Sequence, residues 1–348
     1  MTPVLKTLRR EFKSKSQARS IFGMTKDTAL KFFTWFLMLF LLAGNSEARS
    51  IKVSVPAQSI SHMAFYAAQD KGFYREEGLD IDFILMNSPV ALRALIGGDV
   101  DFSTVGGSGL APILRGASLR FFFVGFNRPI HWLYAKPEIV DIKALKGKKI
   151  ANSSIGSPAD IMVKRLLSSH GLEAGQNLTI IYIGVLATRY AALASGAVDA
   201  TPLTVPWNLK ADEAGFRELV NFTKQDLVEM TGTILVPDAL SRSDPVLIEK
   251  FIRGTLKGLM YARDNRAGTI RVLANKFKIK EDMAGKIYDS SRPAMTVDGT
   301  VTKDAERRIV DEELGRLGVK EAPPLDRVFN FLPARKIRAD LDAAGWKP

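Results

Sequence analysis

The chain has 348 residues, 46% hydrophobic and 25% charged, which is the balance of a globular protein with a sizeable core and excludes a disordered tail, a coiled coil or a collagen-like chain. It has no cysteine, which excludes disulfide staples, thiolate zinc sites, iron–sulfur clusters and a cysteine nucleophile; its three histidines, His62, His131 and His170, are too scattered for a histidine-rich metal site. The net charge of +12 is uneven: residues 1–48 carry eight basic against three acidic residues (+5), and the other 300 carry 41 against 34 (+7), a moderately basic body that suits anionic partners.

Residues 32–43, FFTWFLMLFLLA, form an uncharged run. They are too few to cross a bilayer as a helix, which takes about 20 residues. Lys26 and Lys31 precede the run, and Ser46-Glu47-Ala48 follows it with small residues at the −3 and −1 positions of a cut. A positive flank, a short apolar core and a small-x-small exit predict a secretory signal peptide over residues 1–48, cleaved after Ala48, with Met24 as an alternative start. Arg9-Arg10 stands too far upstream for a twin-arginine signal. The mature chain is therefore expected in the periplasm, and its length suits two domains or one two-lobed unit.

IKVSV (51–55) predicts a strand, and an amphipathic stretch then runs to Glu77, with Gly78 as its C-cap. LDIDFIL (79–85) alternates as a second strand. Asn87, Ser88 and Pro89 open a helix that ends at Gly97-Gly98, and DVDFSTV (99–105) is the third strand. Gly106-Gly107-Ser108-Gly109 leads into a helix to about Arg115, and FFFVGFN (121–127) is a further strand. The order then recurs: KKIANS (148–153) as a strand, a helix from Pro158 to His170 closed by Gly171, LTIIYIG (178–184) as a strand, and a helix over 187–195. Leu95, Val100 and Asp101 match Leu193, Val198 and Asp199 at an offset of 98 residues, so the pattern is two similar α/β lobes, not a solenoid. Beyond Val236 the chain reads as helical, over about 245–263, 267–278, 281–291 and 302–317, with a last amphipathic segment after Pro323-Pro324.

In open α/β sheets ligands lie beyond the carboxyl ends of the strands, where helix N-termini present free N–H groups. The strand-to-helix loops there carry Ser59, Ser61 and His62, then Gly106, Gly107 and Ser108, then Ser153, Ser154, Gly156 and Ser157. Small residues admit a ligand to the backbone, and hydroxyls donate to a carboxylate, sulfonate or phosphate. Each serine taken singly also suits a helix N-cap or a turn. Asn127 and Arg128 follow a strand near the crossover between lobes, and an Arg fork grips an oxyanion in two places. Phe126, Trp132 and Trp207 suit either core packing or a stack against an aromatic ligand. No complete dinucleotide fingerprint, P-loop, Gly-x-Ser-x-Gly elbow or metal motif occurs, and basic residues do not interleave with aromatics as nucleic-acid binding requires.

AFYAAQDKGFYREEGLDIDF (64–83), ALIGGDVDF (94–102), DIKALKGKKIANSSIGSPAD (141–160) and ALASGAVDATPLTVPW (192–207) together resemble the solute-binding proteins of bacterial ABC importers. The branch is the nitrate, sulfonate and taurine type, related to thiamine-pyrimidine-precursor binders. The resemblance implies a type II periplasmic-binding fold: two α/β lobes with a cleft and two hinge crossovers. Residues 49–135 plus 237–348 would form the first lobe and 140–232 the second. It further implies a monomer without cofactor that takes a small organic or inorganic anion, or a heteroaromatic solute, and delivers it to an inner-membrane permease with its ATPase. The loops above would hold the ligand, joined by Thr204 and Pro206. Alternatives on the same fold are a periplasmic ligand sensor, and an enzyme of the thiamine-pyrimidine synthesis type, which the lack of cysteine disfavours.

Overall fold

Ile51, Val53 and Val55 of the first strand are buried while Lys52 stays exposed, so the apolar spacing read in the sequence sets a sheet against a core. In the computed structural model, residues 48–348 are described apart from 57, 154, 156 and 320. The expected signal segment up to residue 47, and the loop positions Ser154 and Gly156, lie outside the described residues.

The strands are β1 (Arg49–Val55), β2 (Leu79–Leu85), β3 (Phe102–Ser103), β4 (Leu119–Phe126), β5 (Trp132–Ala135), β6 (Lys149–Asn152), β7 (Thr179–Tyr182), β8 (Ala200–Leu203), β9 (Arg217–Asn221) and β10 (Thr231–Pro237). They form two five-stranded sheets, ordered β2-β1-β3-β10-β4 and β7-β6-β8-β5-β9. In each sheet the first three strands are parallel, and an antiparallel strand from the chain's other half sits in the fourth place. This is the two-lobed architecture that the resemblance implied. The main helices are α1 (Met63–Asp70), α2 (Ser88–Gly97), α3 (Leu110–Leu114), α4 (Pro158–Ser169), α5 (Leu186–Ala194), α6 (Trp207–Glu213), α7 (Pro245–Asp264), α8 (Arg266–Phe277), α9 (Glu281–Ser291), α10 (Lys303–Leu317) and α11 (Leu332–Ala343).

The 98-residue repeat has a physical basis. The Lys52 N–H donates to Asp101 Oδ2 (2.9 Å), and the Lys149 N–H donates to Asp199 Oδ2 (2.8 Å). In return each aspartate's own N–H donates to the carbonyl of that lysine. The repeated Asp thus ties each lobe's third segment to its first strand. The repeated Leu and Val are buried in both lobes, and Gly98 and Gly196 both turn the chain at positive φ.

Three expectations need correction. The stretch after residue 63 is not one helix, because Gly72 adopts φ 78° and separates α1 from a short turn of helix over Phe73–Glu76. Trp132–Ala135, assigned to the first lobe from sequence, pairs with β8 and β9 in the second sheet. Thr231–Pro237 pairs in the first sheet, so the second lobe ends before residue 231 and the first lobe's tail starts ahead of residue 237. In both cases pairing begins as soon as the crossover has reached the other sheet.

The crossovers, 127–131 and 222–230, run side by side. The Glu229 N–H donates to the Asn127 carbonyl (3.2 Å) and the Phe222 N–H to the His131 carbonyl (3.1 Å). The C-terminal helices complete the first lobe. Phe251 of α7 stacks on Phe102 at 4.4 Å and on Tyr74 at 5.4 Å, and it is fully buried. Burial of such a ring contributes about 2–3 kcal/mol. Among the described residues no helix is long and apolar enough to cross a membrane.

Candidate functional site

Ser59 caps the turn Ile60–His62 by accepting from the Ser61 N–H, and it also accepts from the Ser61 hydroxyl at 3.1 Å. His62 is buried at the end of that turn, with Nε2 3.0 Å from Thr104 Oγ1. Thr104 Oγ1 donates to the Ser54 carbonyl (3.2 Å), so it receives its second hydrogen bond from a protonated Nε2. Nδ1 is then an acceptor, and it has no hydrogen-bond partner among the described residues. Burial pushes the ring down to about 4, which keeps it neutral.

The Gly106 loop presses on the second crossover, and the Ser61 loop presses on the start of β10. A Cβ on Gly106 would stand 2.0 Å from the Met230 carbonyl oxygen, and one on Gly232 (φ +60°) would stand 2.1 Å from that of Ser61. Only glycine permits these approaches. The Gly107 N–H donates to the Met230 carbonyl (3.1 Å), while Ser108 is exposed.

In the second lobe Ser157 caps α4, accepting from the Asp160 N–H (3.2 Å) and sharing a hydrogen bond with the Ser153 hydroxyl. Asp160, buried beneath the same turn, accepts from Asn152 Nδ2, Tyr182 OH and Lys164 Nζ. The Thr204 carbonyl receives the Trp207 and Asn208 N–H groups at the start of α6, and the Val205–Pro206 bond beside it is cis. Trp207 packs on Tyr190 at 5.3 Å, with Lys210 Nζ 4.3 Å from its ring centroid. Phe126 and Trp132, in contrast, are core residues.

Sequence reasoning missed the buried charges near the crossovers. Arg189 of α5 is buried (4% exposed) and donates through Nη1 to the Pro202 carbonyl (2.7 Å), near the carboxyl end of β8. Its Nε has no hydrogen-bond partner, and no carboxylate pairs with it among the described residues. Burial lowers its ordinary pKa to about 10, which leaves it charged at neutral pH. His131, on the first crossover, is pushed down to about 3 by burial and by the Arg189 charge. Its Nδ1 lies 3.9 Å from Glu229 Oε2, and because the ring is neutral this is no ion pair. Burial raises Glu229 to about 7.

Of the residues singled out from sequence, Ser59, Ser61 and His62 pack against Gly232 of β10, and Gly106 and Gly107 against Met230 at the end of the second crossover. Asn127 belongs to the crossover itself through its carbonyl. Arg128 is exposed, whereas the buried arginine is Arg189. Ser157, Thr204 and Pro206 stand at the starts of α4 and α6. Charge alone could not separate Arg128 from Arg189. The one available clue was the position of Arg189 on a helix already expected over 187–195.

The fold is similar to that of the periplasmic aliphatic sulphonate binding protein SsuA of Escherichia coli, with a TM-score of 0.64 at 21% identity over 82% of this chain and 99% of that one. A protein of Bordetella bronchiseptica RB50 superposes with a TM-score of 0.70 at 19% identity, over 85% of this chain and 99% of its own. Among curated proteins, the putative binding protein YtlA of Bacillus subtilis (strain 168) is 23% identical over 253 residues, 68% of this chain and 73% of that one. The model described as NMT1/THI5 like matches residues 59–267, which take in both glycine-locked loops, Arg189 and Glu229, and the chain belongs to that family.

Proposed function

We propose that the chain is the substrate-binding component of an ABC importer. It clamps a small anion in the interlobe cleft outside the cytoplasm and hands it to an inner-membrane permease served by an ATPase. The observation that carries this is Arg189, a buried guanidinium near the carboxyl end of β8 with no carboxylate to neutralise it among the described residues. An uncompensated buried charge is costly, and an oxyanion that pairs with it recovers that cost as binding energy. The E. coli neighbour's printed ligand class, aliphatic sulphonate, has that chemistry. On this reading Ser61, His62, Ser108, Ser157 and Thr204, on the strand-to-helix loops of both sheets, are the further polar groups offered to the ligand. Trp207 on Tyr190 offers a half-buried ring shelf beside Thr204 for a ligand with an aromatic portion.

Mature protein screened by thermal shift against alkane- and arylsulfonates, carboxylates and nitrate should gain stability with one of these classes. Arg189→Gln should weaken that binding by on the order of 30-fold or more, the 2 kcal/mol or above lost with one partner of a buried charge pair. The solute should be recovered chemically unchanged. No shift with any class, or chemical conversion of the solute, overturns the reading.

A further inference from the structure

Helix α10 of the first lobe reaches both the second lobe and the second crossover. Thr302 caps it by accepting from the Ala305 N–H (3.2 Å), and Ala305, Ile309, Val310 and Leu314 bury one face in the first-lobe core. Arg308 and Glu312, four residues apart, share another face. Glu312 Oε1 meets Arg165 Nη1 of α4, in the second lobe, at 3.0 Å. Arg308 donates through Nη1 to the Asp226 carboxylate (3.1 Å) and through Nη2 to the Asp226 backbone carbonyl (2.8 Å), on the second crossover. One helix thus grips the opposite lobe and a segment that must bend if the lobes part. A cavity of about 510 Å³ lies between α4 and α10 and takes in Gly107, Ser108 and Leu227–Met230. Among the described residues, the ion pair that crosses this gap is Arg165–Glu312. Lys286 of α9 also approaches Glu213 of α6, at 3.9 Å, but it is shared with Asp282 of its own helix (3.5 Å).

We propose that α10 is an electrostatic latch on the hinge. Arg165–Glu312 holds the lobes together across the gap, and Arg308 on Asp226 stiffens the crossover, so the protein is drawn shut before a solute arrives. An exposed pair shifts an equilibrium only a few-fold. That is too little to decide a fold, but it is enough to bias a hinge whose two states lie close in energy. The bias is electrostatic and weakens with salt, because charges are screened beyond about 10 Å at 0.1 M and about 3 Å at 1 M. The latch does not depend on which solute the cleft takes.

Small-angle X-ray scattering of the solute-free mature protein tests the latch. Arg165→Gln combined with Arg308→Gln should raise the radius of gyration, with the ratio of open to closed protein up by on the order of 5-fold. About 1 M sodium chloride should do the same to the parent. Arg165→Glu alone should open the protein, and adding Glu312→Arg, which rebuilds the pair with its charges reversed, should close it again. An unchanged radius in the double Gln variant, a parent insensitive to salt, or no recovery in the reversed pair overturns the proposal. So does a rise in radius that comes with loss of the folded circular-dichroism signal, since it reports unfolding. No solute is present, so a failed anion screen leaves the latch standing, and a failed scattering test leaves the anion reading standing.

Discussion

The two lobes share a strand order but treat their polar loops differently. In the first lobe Ser59, Ser61, His62, Thr104 and Ser54 form one hydrogen-bonded chain, which packs on Gly232 of β10, while Gly106 packs on Met230 of the second crossover. In the second lobe Arg189 is buried with Nε unmatched, and Thr201 Oγ1 and Asn208 Oδ1 are likewise without partners. One half is a hydrogen-bonded wall in which His62 Nδ1 is left without a partner. The other carries the outstanding electrostatic demand. On the proposed reading, a solute between them meets shape on one side and unmet charge on the other.

That contrast can be broken most severely at Gly232. Gly232→Ala places a Cβ on a backbone oxygen at a positive φ, and should cost about 3 kcal/mol or more, read as a fall in the denaturation midpoint. Glu229 sets the next effect through pH. Its folded pKa, about 7, lies above its ordinary 4.5, so the folded state keeps a proton that the unfolded chain releases. Stability from this group is complete below pH 4.5, falls as the pH rises through the window to 7, and is down by about 3 kcal/mol above it. Glu229→Gln should therefore raise the melting temperature at pH 8 and change it little at pH 4.5.

His62 and His131 work in the opposite direction. Their folded values of about 4 and about 3 lie below the ordinary 6.5, so their contribution is complete above 6.5 and is lost as the pH falls towards those values. Acid melting of His62→Gln should be correspondingly less steep than that of the parent. A smaller effect follows at Ser157. Its hydroxyl is engaged as the cap of α4, so Ser157→Ala should cost about 1 kcal/mol of stability in unliganded protein. The least change in stability is expected for Arg189→Met, because exchanging an unpaired buried cation for an apolar chain of similar length is close to neutral. A loss of several kcal/mol there, measured by urea titration, would reveal that the guanidinium is already neutralised and would erase the contrast between the lobes.

Much of this architecture was legible because its signals are local. Asn87 and Ser157 cap the helices where the sequence placed them, and the Leu-Val-Asp repeat marks the same joint in both lobes. β5, β9 and β10 were not legible as strands. They take their place by pairing with residues far along the chain, and β10 is buried almost throughout, so no polar alternation marks it. The roles of Arg189 and Glu229 were hidden for a related reason. Burial of a charge is a property of the packed lobes and leaves no mark on neighbouring letters.

The exchange of strands between halves has a consequence for assembly. A polypeptide emerging from its N-terminus cannot bring β4 into the first sheet until β10, residues 231–237, has arrived to lie between β3 and β4. The second half, by contrast, needs only β5, which precedes the rest of its sheet. Synthesis therefore finishes the later half first and leaves the earlier one an open template, with its closing contacts spanning more than 100 positions. Such a chain stays threadable for most of its elongation and locks only near the end.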